Sequence, residues 1–340
     1  MRGMANNSNI FTIAAQTGYS VSTVSRVLTG KASRYRISKK AVELITEAAR
    51  QCNYQPNLVA QSLRTKQSKT IGLLVPGIDN PFFATLSGII IKLLADRGYH
   101  TLLADSRESD KEEEMALQMF AGRKVDGIIS VPVAASADLH EQISRDIPMV
   151  LIDRHFNQTS LPYVCTDNYL GARMATDFLL DKGYKSILAI QGVPTSMPNQ
   201  ERLRGFTDAI KGKPVHYAVV GNAFSVENGH DEIMNCFSDG ARPFDAVFAF
   251  SATILLGAID AFRKLNIEVK RDVGIISFDN NGFLDFLDPA VTRIEQPLRE
   301  ASSMAVETLF GIIDSRREGL PEPEVCQRLI PPTLVVRSSC

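Results

Sequence analysis

Cysteine is sparse in this 340-residue chain: Cys52, Cys165, Cys236, Cys326 and Cys340 are odd in number, scattered, and include no C-x-x-C pair. That argues against a disulfide framework and a thiolate zinc site, and makes a reduced cytoplasm the expected compartment. Histidine is equally thin, and His100, His140, His155, His216 and His230 show no ligand spacing, so no metal is expected. No stretch approaches the ~20 uninterrupted apolar residues of a membrane span. The opening "MRGMANNSN" has no apolar segment of the kind that marks a secretory signal. There is no G-x-S-x-G, no phosphate loop and no H-E-x-x-H. A catalytic constellation is therefore missing, and neither an enzyme nor a cofactor is expected.

What is present is a soluble, globular composition, 44% apolar and 22% charged, on a length that implies two or three domains. The net charge of −1 hides a division. Residues 1–70 hold eleven Lys or Arg against two Asp or Glu, hence +9; the other 270 hold 26 against 36, hence −10. A basic head on an acidic body directs only the head at a polyanion. Five of the cations fall in "KASRYRISKK", residues 31–40, and nucleic acid is the expected partner.

The head reads as three short helices. Around residues 10–17, Ile10, Ile13 and Ala14 form an inward face, and Gly18 supplies the positive φ that ends the helix. Ser20 caps a second helix reaching about Leu28, in which Val21, Val24 and Leu28 fall on one face and Ser22, Ser25 and Arg26 on the other. Val21 is open to two readings, core or groove-facing. Ser38 caps a third helix, with Val42, Ile45, Ala48 and Ala49 inward. Two helices joined by a tight Gly-containing turn, with a third completing the core, make a helix-turn-helix. Small hydroxyls and one long Arg suit a surface that must approach bases and phosphates closely. Ser22 and Arg26, one turn apart, both suit the groove. Residues 56–69 follow as a hinge helix and linker too short to be stable alone, with Leu63 able to wedge into a minor groove.

From Thr70 the pattern becomes an alternation of short apolar runs and amphipathic segments. The runs are 70–75, 99–104, 125–131, 148–152, 186–192, 215–220, 245–250 and 272–278; the amphipathic segments include 81–97, 108–122, 168–183, 199–211, 226–238, 253–265 and 297–318. Such alternation is the mark of an α/β fold with parallel sheets covered by helices on both faces. So many strands divide better between two open sheets than within one, and a ligand then binds beyond their carboxyl ends, between the lobes.

Several of these segments together resemble the LacI/GalR family of bacterial transcription regulators: "TIAAQTGYSVSTVSRVLTG", "YRISKKAVELITEAARQCNYQPNLVAQSLRT", "KTIGLLVPGIDNPFF", "DNYLGARMATDFLLDKGYKSILAIQG", "ERLRGF" and "IISFDN". The likeness runs from residue 9 to 337. It implies an all-α helix-turn-helix head over 1–55, a hinge over 56–69, and a two-lobed core like the periplasmic sugar-binding proteins. The lobes would comprise 70–167 with 297–325, and 168–296 with 326–340. It also implies a dimer or tetramer on a palindromic operator, switched by a small effector. No heptad extension follows "TLVVRSSC", which favours a homodimer.

Within the family, "GKASRYRIS" and "GFLDFLDPAV" resemble the fructose repressor (catabolite repressor/activator), and "VLIDRHFNQTSLPYVCTD" and "QRLIPPTLVVR" resemble sucrose-operon repressors. The usual Asn-Asp after the strand at 245–250 is here Ser251-Ala252, so hydroxyl recognition by that pair is lost; the usual charged pair in the first helix is Phe11-Thr12. Carried over by motif position, Val21, Ser22 and Arg26 face bases, Thr23, Ser25 and Asn57 hold phosphates, and Leu63 is the wedge. The cleft candidates are Phe82, Phe83, Asp153, Arg154, Arg202, Phe224, Asp279 and Gln296, each just past an expected strand or at a lobe crossover. Asp and Arg pair with vicinal hydroxyls, and an aromatic ring covers a sugar face. Free fructose or a fructose-containing sugar is the expected effector, with fructose 1-phosphate second. A sugar receptor without DNA function fits the core but not the head.

Overall fold

A computed structural model describes residues 9–54, 67–238 and 242–340. The chain divides into two compact units that part between Ser68 and Lys69.

The first unit contains α1 (Ile10–Thr17), α2 (Val21–Leu28) and α3 (Lys39–Gln51). Asn9 caps α1, its Oδ1 accepting the amides of Phe11 and Thr12 at 3.0 and 3.1 Å. Gly18 ends it at φ 72°, a left-handed conformation that glycine adopts without a Cβ penalty. Ser20 caps α2 by accepting Thr23 N–H at 3.2 Å, and Ser38 caps α3. Ile13, Val24, Val27, Ile45, Ala48 and Ala49 form the buried centre. Val21 is not part of that centre. The stripe of α2 is built on Val24 and Val27, with Leu28 packed at its edge. At about 100° per residue, Val21 lies roughly 70° round from the middle of it, on the flank that carries Ser25.

The second unit holds two six-stranded sheets. In chain order its elements are β1 (Thr70–Val75), α4 (Pro81–Asp96), β2 (His100–Asp105), α5 (Asp110–Arg123), β3 (Gly127–Ser130), α6 (Asp138–Ser144), β4 (Met149–Ile152) and β5 (Tyr163–Thr166). The second half continues with α7 (Asn168–Asp181), β6 (Ser186–Ile190), α8 (Met197–Ile210), β7 (His216–Val220), α9 (Val226–Cys236), β8 (Ala246–Ala249), α10 (Ala252–Lys264), β9 (Gly274–Phe278) and β10 (Thr292–Glu295). The chain closes with α11 (Leu298–Glu318), β11 (Gln327–Ile330) and β12 (Thr333–Val335). One sheet runs β11-β5-β4-β3-β1-β2, all parallel; the other runs β12-β10-β9-β8-β6-β7, parallel except for β12 against β10. The most central strands are the most apolar, as burial on both faces requires: β4 and β8 hold apolar residues alone and are buried at every position.

The chain passes between the sheets three times, after β5, after β10 and between β11 and β12. Residues 326–340 therefore do not all belong to the second lobe as expected. Gln327–Ile330 pair with Tyr163–Thr166 in the first sheet. Pro331 and Pro332 then interrupt the strand, because neither has an N–H to continue the ladder, and only Thr333–Val335 join the second. No described helix is long and apolar enough to cross a membrane.

Candidate functional site

Strand ends place the side chains. Beyond β1, Asn80 caps α4, its Oδ1 accepting Phe82 N–H at 3.0 Å, and this sets Phe82 and Phe83 edge to face, 5.1 Å between centroids. Beyond β4 and β9 the backbone turns left-handed at Asp153 (φ 66°) and Asp279 (φ 75°). Asp tolerates that region better than bulkier residues do. Arg202 rises from α8, Phe224 precedes α9, Ser251 caps α10, and Gln296 lies where β10 gives way to α11. Gly192 admits Phe224, since a Cβ there would overlap the ring.

All eight expected residues line one cleft of about 380 Å³. Asn80, Glu108, Pro198 and Ser251 complete it. Arg154 forks onto Glu108 rather than onto its neighbour Asp153: Nη1 and Nη2 donate to the two Glu108 oxygens at 2.8 and 2.6 Å, while Asp153 stands 3.9 Å from Nε. Arg202 donates from Nε to Asn168 at 2.8 Å and from Nη1 to the Phe250 carbonyl, and lies flat on the Phe278 ring at 3.8 Å. Its Nη2 is 4.0 Å from Asp279. Asp279 in turn accepts Gln296 Nε2 at 2.6 Å and the amide of Ala252 at 3.4 Å. Ser251 does line the cleft, but its hydroxyl is committed to Thr253 Oγ1 at 2.8 Å and to Ile254 N–H at 3.2 Å.

Two buried polar atoms in this wall have no hydrogen-bond partner among the described residues: Arg154 Nε, a donor, and Gln296 Oε1, an acceptor. Burial pushes the Asp153 carboxyl up to about 6, although the guanidiniums of Arg154 and Arg202 pull the other way. Burial lowers Arg202, with Asp279 and Asp153 opposing it. Burial also works against the charge on Arg154, yet the fork from Glu108 leaves it above the ordinary arginine value. Three carboxylates face two guanidiniums, and aromatic rings close the sides.

In the head, Ser22 and Arg26 are exposed, and Val21, Thr23 and Ser25 are partly so. The Arg26 guanidinium lies over the Tyr35 ring at 4.0 Å, a partner that spacing within α2 does not disclose. Asn57 and Leu63, with most of the expected hinge, lie outside the described residues.

A two-lobed parallel-sheet core with a polar-aromatic cleft, joined to a three-helix head with a basic outer face, defines a ligand-responsive DNA-binding regulator. Residues 71–284 match the periplasmic binding protein domain, and residues 9–57 match bacterial regulatory proteins of the lacI family. The chain belongs to that family, and is a DNA-binding transcriptional repressor rather than an enzyme. It is 32% identical over 96% of its length to the ribose operon repressor of Halalkalibacterium halodurans, covering 95% of that protein. Its fold resembles the lac repressor dimer bound to operator and the anti-inducer ONPF (TM-score 0.85, 22% identity, 98% of each chain). It also resembles the Cra regulator of Pseudomonas putida in complex with fructose 1-phosphate (TM-score 0.72, 25% identity, 79% of this chain and 98% of that one).

Proposed function

We propose that the effector is a neutral monosaccharide, held between the lobes by Asp153, Arg154, Arg202, Asp279 and Gln296 and faced by Phe82, Phe83 and Phe224. The observation that carries this is the commitment of both guanidiniums. A phosphate ester needs an arginine fork free for its oxygens, and here the Nη pair of Arg154 is taken by Glu108 while Arg202 is held by Asn168, Phe250 and Phe278. Sugar hydroxyls suit what remains, since each both donates and accepts: carboxylate oxygens, the Arg154 Nε–H and the Gln296 Oε1. Ribose stands ahead of fructose because the relative described above at 32% identity is named a ribose operon repressor; fructose 1-phosphate falls behind both.

The remaining parts of the reading are a homodimer on a palindromic operator of a sugar-use operon, with Val21, Ser22 and Arg26 toward bases and Thr23 and Ser25 toward phosphates. Sugar binding shifts operator affinity by favouring one lobe arrangement over another. A melting-temperature screen with ribose, fructose and fructose 1-phosphate tests the effector, because a ligand of the folded state raises the midpoint by mass action. A rise with a neutral sugar is expected. A rise with the phosphate ester alone overturns the reading.

A further inference from the structure

Glu108 was not among the residues expected at the cleft, yet it holds the most exposed charge there. It stands in a left-handed turn (φ 53°) after β2 and is fixed from both sides. Asp105 accepts the amides of Ile78 and Arg107 at 3.0 and 2.8 Å, and the Glu108 amide donates to the Pro76 carbonyl at 3.1 Å. Its side chain is 37% exposed, whereas that of its partner Arg154 is 6% exposed. The carboxylate thus reaches inward from the rim and occupies both Nη groups of a buried arginine.

The geometry points to Glu108 as a specificity-determining residue that excludes anionic sugars from the cleft. This rests on the reading of the cleft as a sugar site. A guanidinium fork fits a phosphate as well as a carboxylate, so Glu108 is a tethered competitor for the groups a sugar phosphate would use. An ester carries about −1.5 to −2 charges at neutral pH. It would have to break the fork and then lie beside Asp153, Asp279 and the displaced Glu108 itself. A neutral sugar meets neither obstacle, because it needs no guanidinium fork and carries no charge for the three carboxylates to repel, so the pair of Glu108 and Arg154 can stay closed.

The test is titration calorimetry on the full-length protein with ribose, ribose 5-phosphate, fructose and fructose 1-phosphate. It compares the unmodified chain with Glu108→Gln, which is nearly isosteric, and Glu108→Ala, which removes the competitor altogether. Melting temperature and operator binding show that each variant is folded. The unmodified chain should bind a neutral sugar well and its phosphate ester poorly. Both variants should raise the affinity of the ester relative to its neutral parent by about tenfold or more, the scale of one charge-assisted contact. A neutral sugar that binds, with an ester-to-parent ratio unchanged in both variants, overturns the role of Glu108 and leaves the sugar site standing. An ester that already binds the unmodified chain more tightly than its parent overturns it too. Binding of no sugar by the unmodified chain overturns the sugar site and the filter together.

Discussion

Burial between the lobes holds the Asp153 carboxyl at about 6 rather than 3.8, so folding and ligand binding respond to pH in opposite senses. Between those values the folded chain keeps a proton that the unfolded chain has released. Stability therefore rises as the pH falls from about 6 to about 4, by something of order 2–3 kcal/mol. Asp153→Asn should flatten that part of the stability curve, measured by denaturant melts across the range. Effector affinity should instead fall below about pH 6, because a protonated carboxyl has lost acceptor capacity for sugar hydroxyls; calorimetry with ribose from pH 5 to 8 reads it. On the opposite wall, Asp279→Asn should abolish the effector response and leave operator binding intact. Loss of operator binding as well would mean that Asp279 serves folding alone. In the head, Arg26→Ala should relax preference at one base position at a cost of roughly 1–3 kcal/mol. Equal weakening on every sequence, measured by competition binding, would assign Arg26 to the phosphates.

Short elements separate what spacing can announce from what it cannot. The caps at Ser20 and Ser38 and the stop at Gly18 were legible because each acts on amides or dihedrals within three residues. Ser20→Ala should accordingly cost the head about 1 kcal/mol, seen as a lower unfolding midpoint by circular dichroism. The eight expected apolar runs are all strands. Four further strands, β5, β10, β11 and β12, were not announced. β5, β10 and β11 mix polar residues with apolar ones and β12 has only three residues, so none forms an apolar run of its own, and each abuts a passage between sheets. The tail "QRLIPPTLVVR" looked like one segment, and its two prolines were the sign that it serves two sheets. The cleft was legible because its residues, Arg202 on α8 apart, follow strand ends, where open α/β sheets bind ligands. Glu108 also lies just past a strand, but its importance comes from Arg154, 46 positions later. No local pattern records a pairing at that distance, nor that of Arg26 with Tyr35 across the loop after α2.

At the scale of the whole chain, the +9 of residues 1–70 against the −10 of the rest predicts operator affinity that falls steeply with salt, as counterions released by phosphate contacts dictate; filter binding between low and physiological salt measures the slope. The three passages between the sheets have a consequence of another kind. Asp153, Arg154, Arg202, Asp279 and Gln296 are each less than a tenth exposed, so a sugar reaches them only when the lobes part. Two of the groups involved sit on the passages themselves: Gln296 between β10 and α11, and Asn168, which holds Arg202, at the start of α7. The clock of the switch is then the opening of the molecule, not the diffusion of the sugar. In a stopped-flow experiment the observed rate should rise with sugar concentration and level off at the opening rate. Once inside, the effector should stay for as long as the lobes stay shut, so that the shift in operator occupancy it causes would outlast a brief fall in the sugar outside.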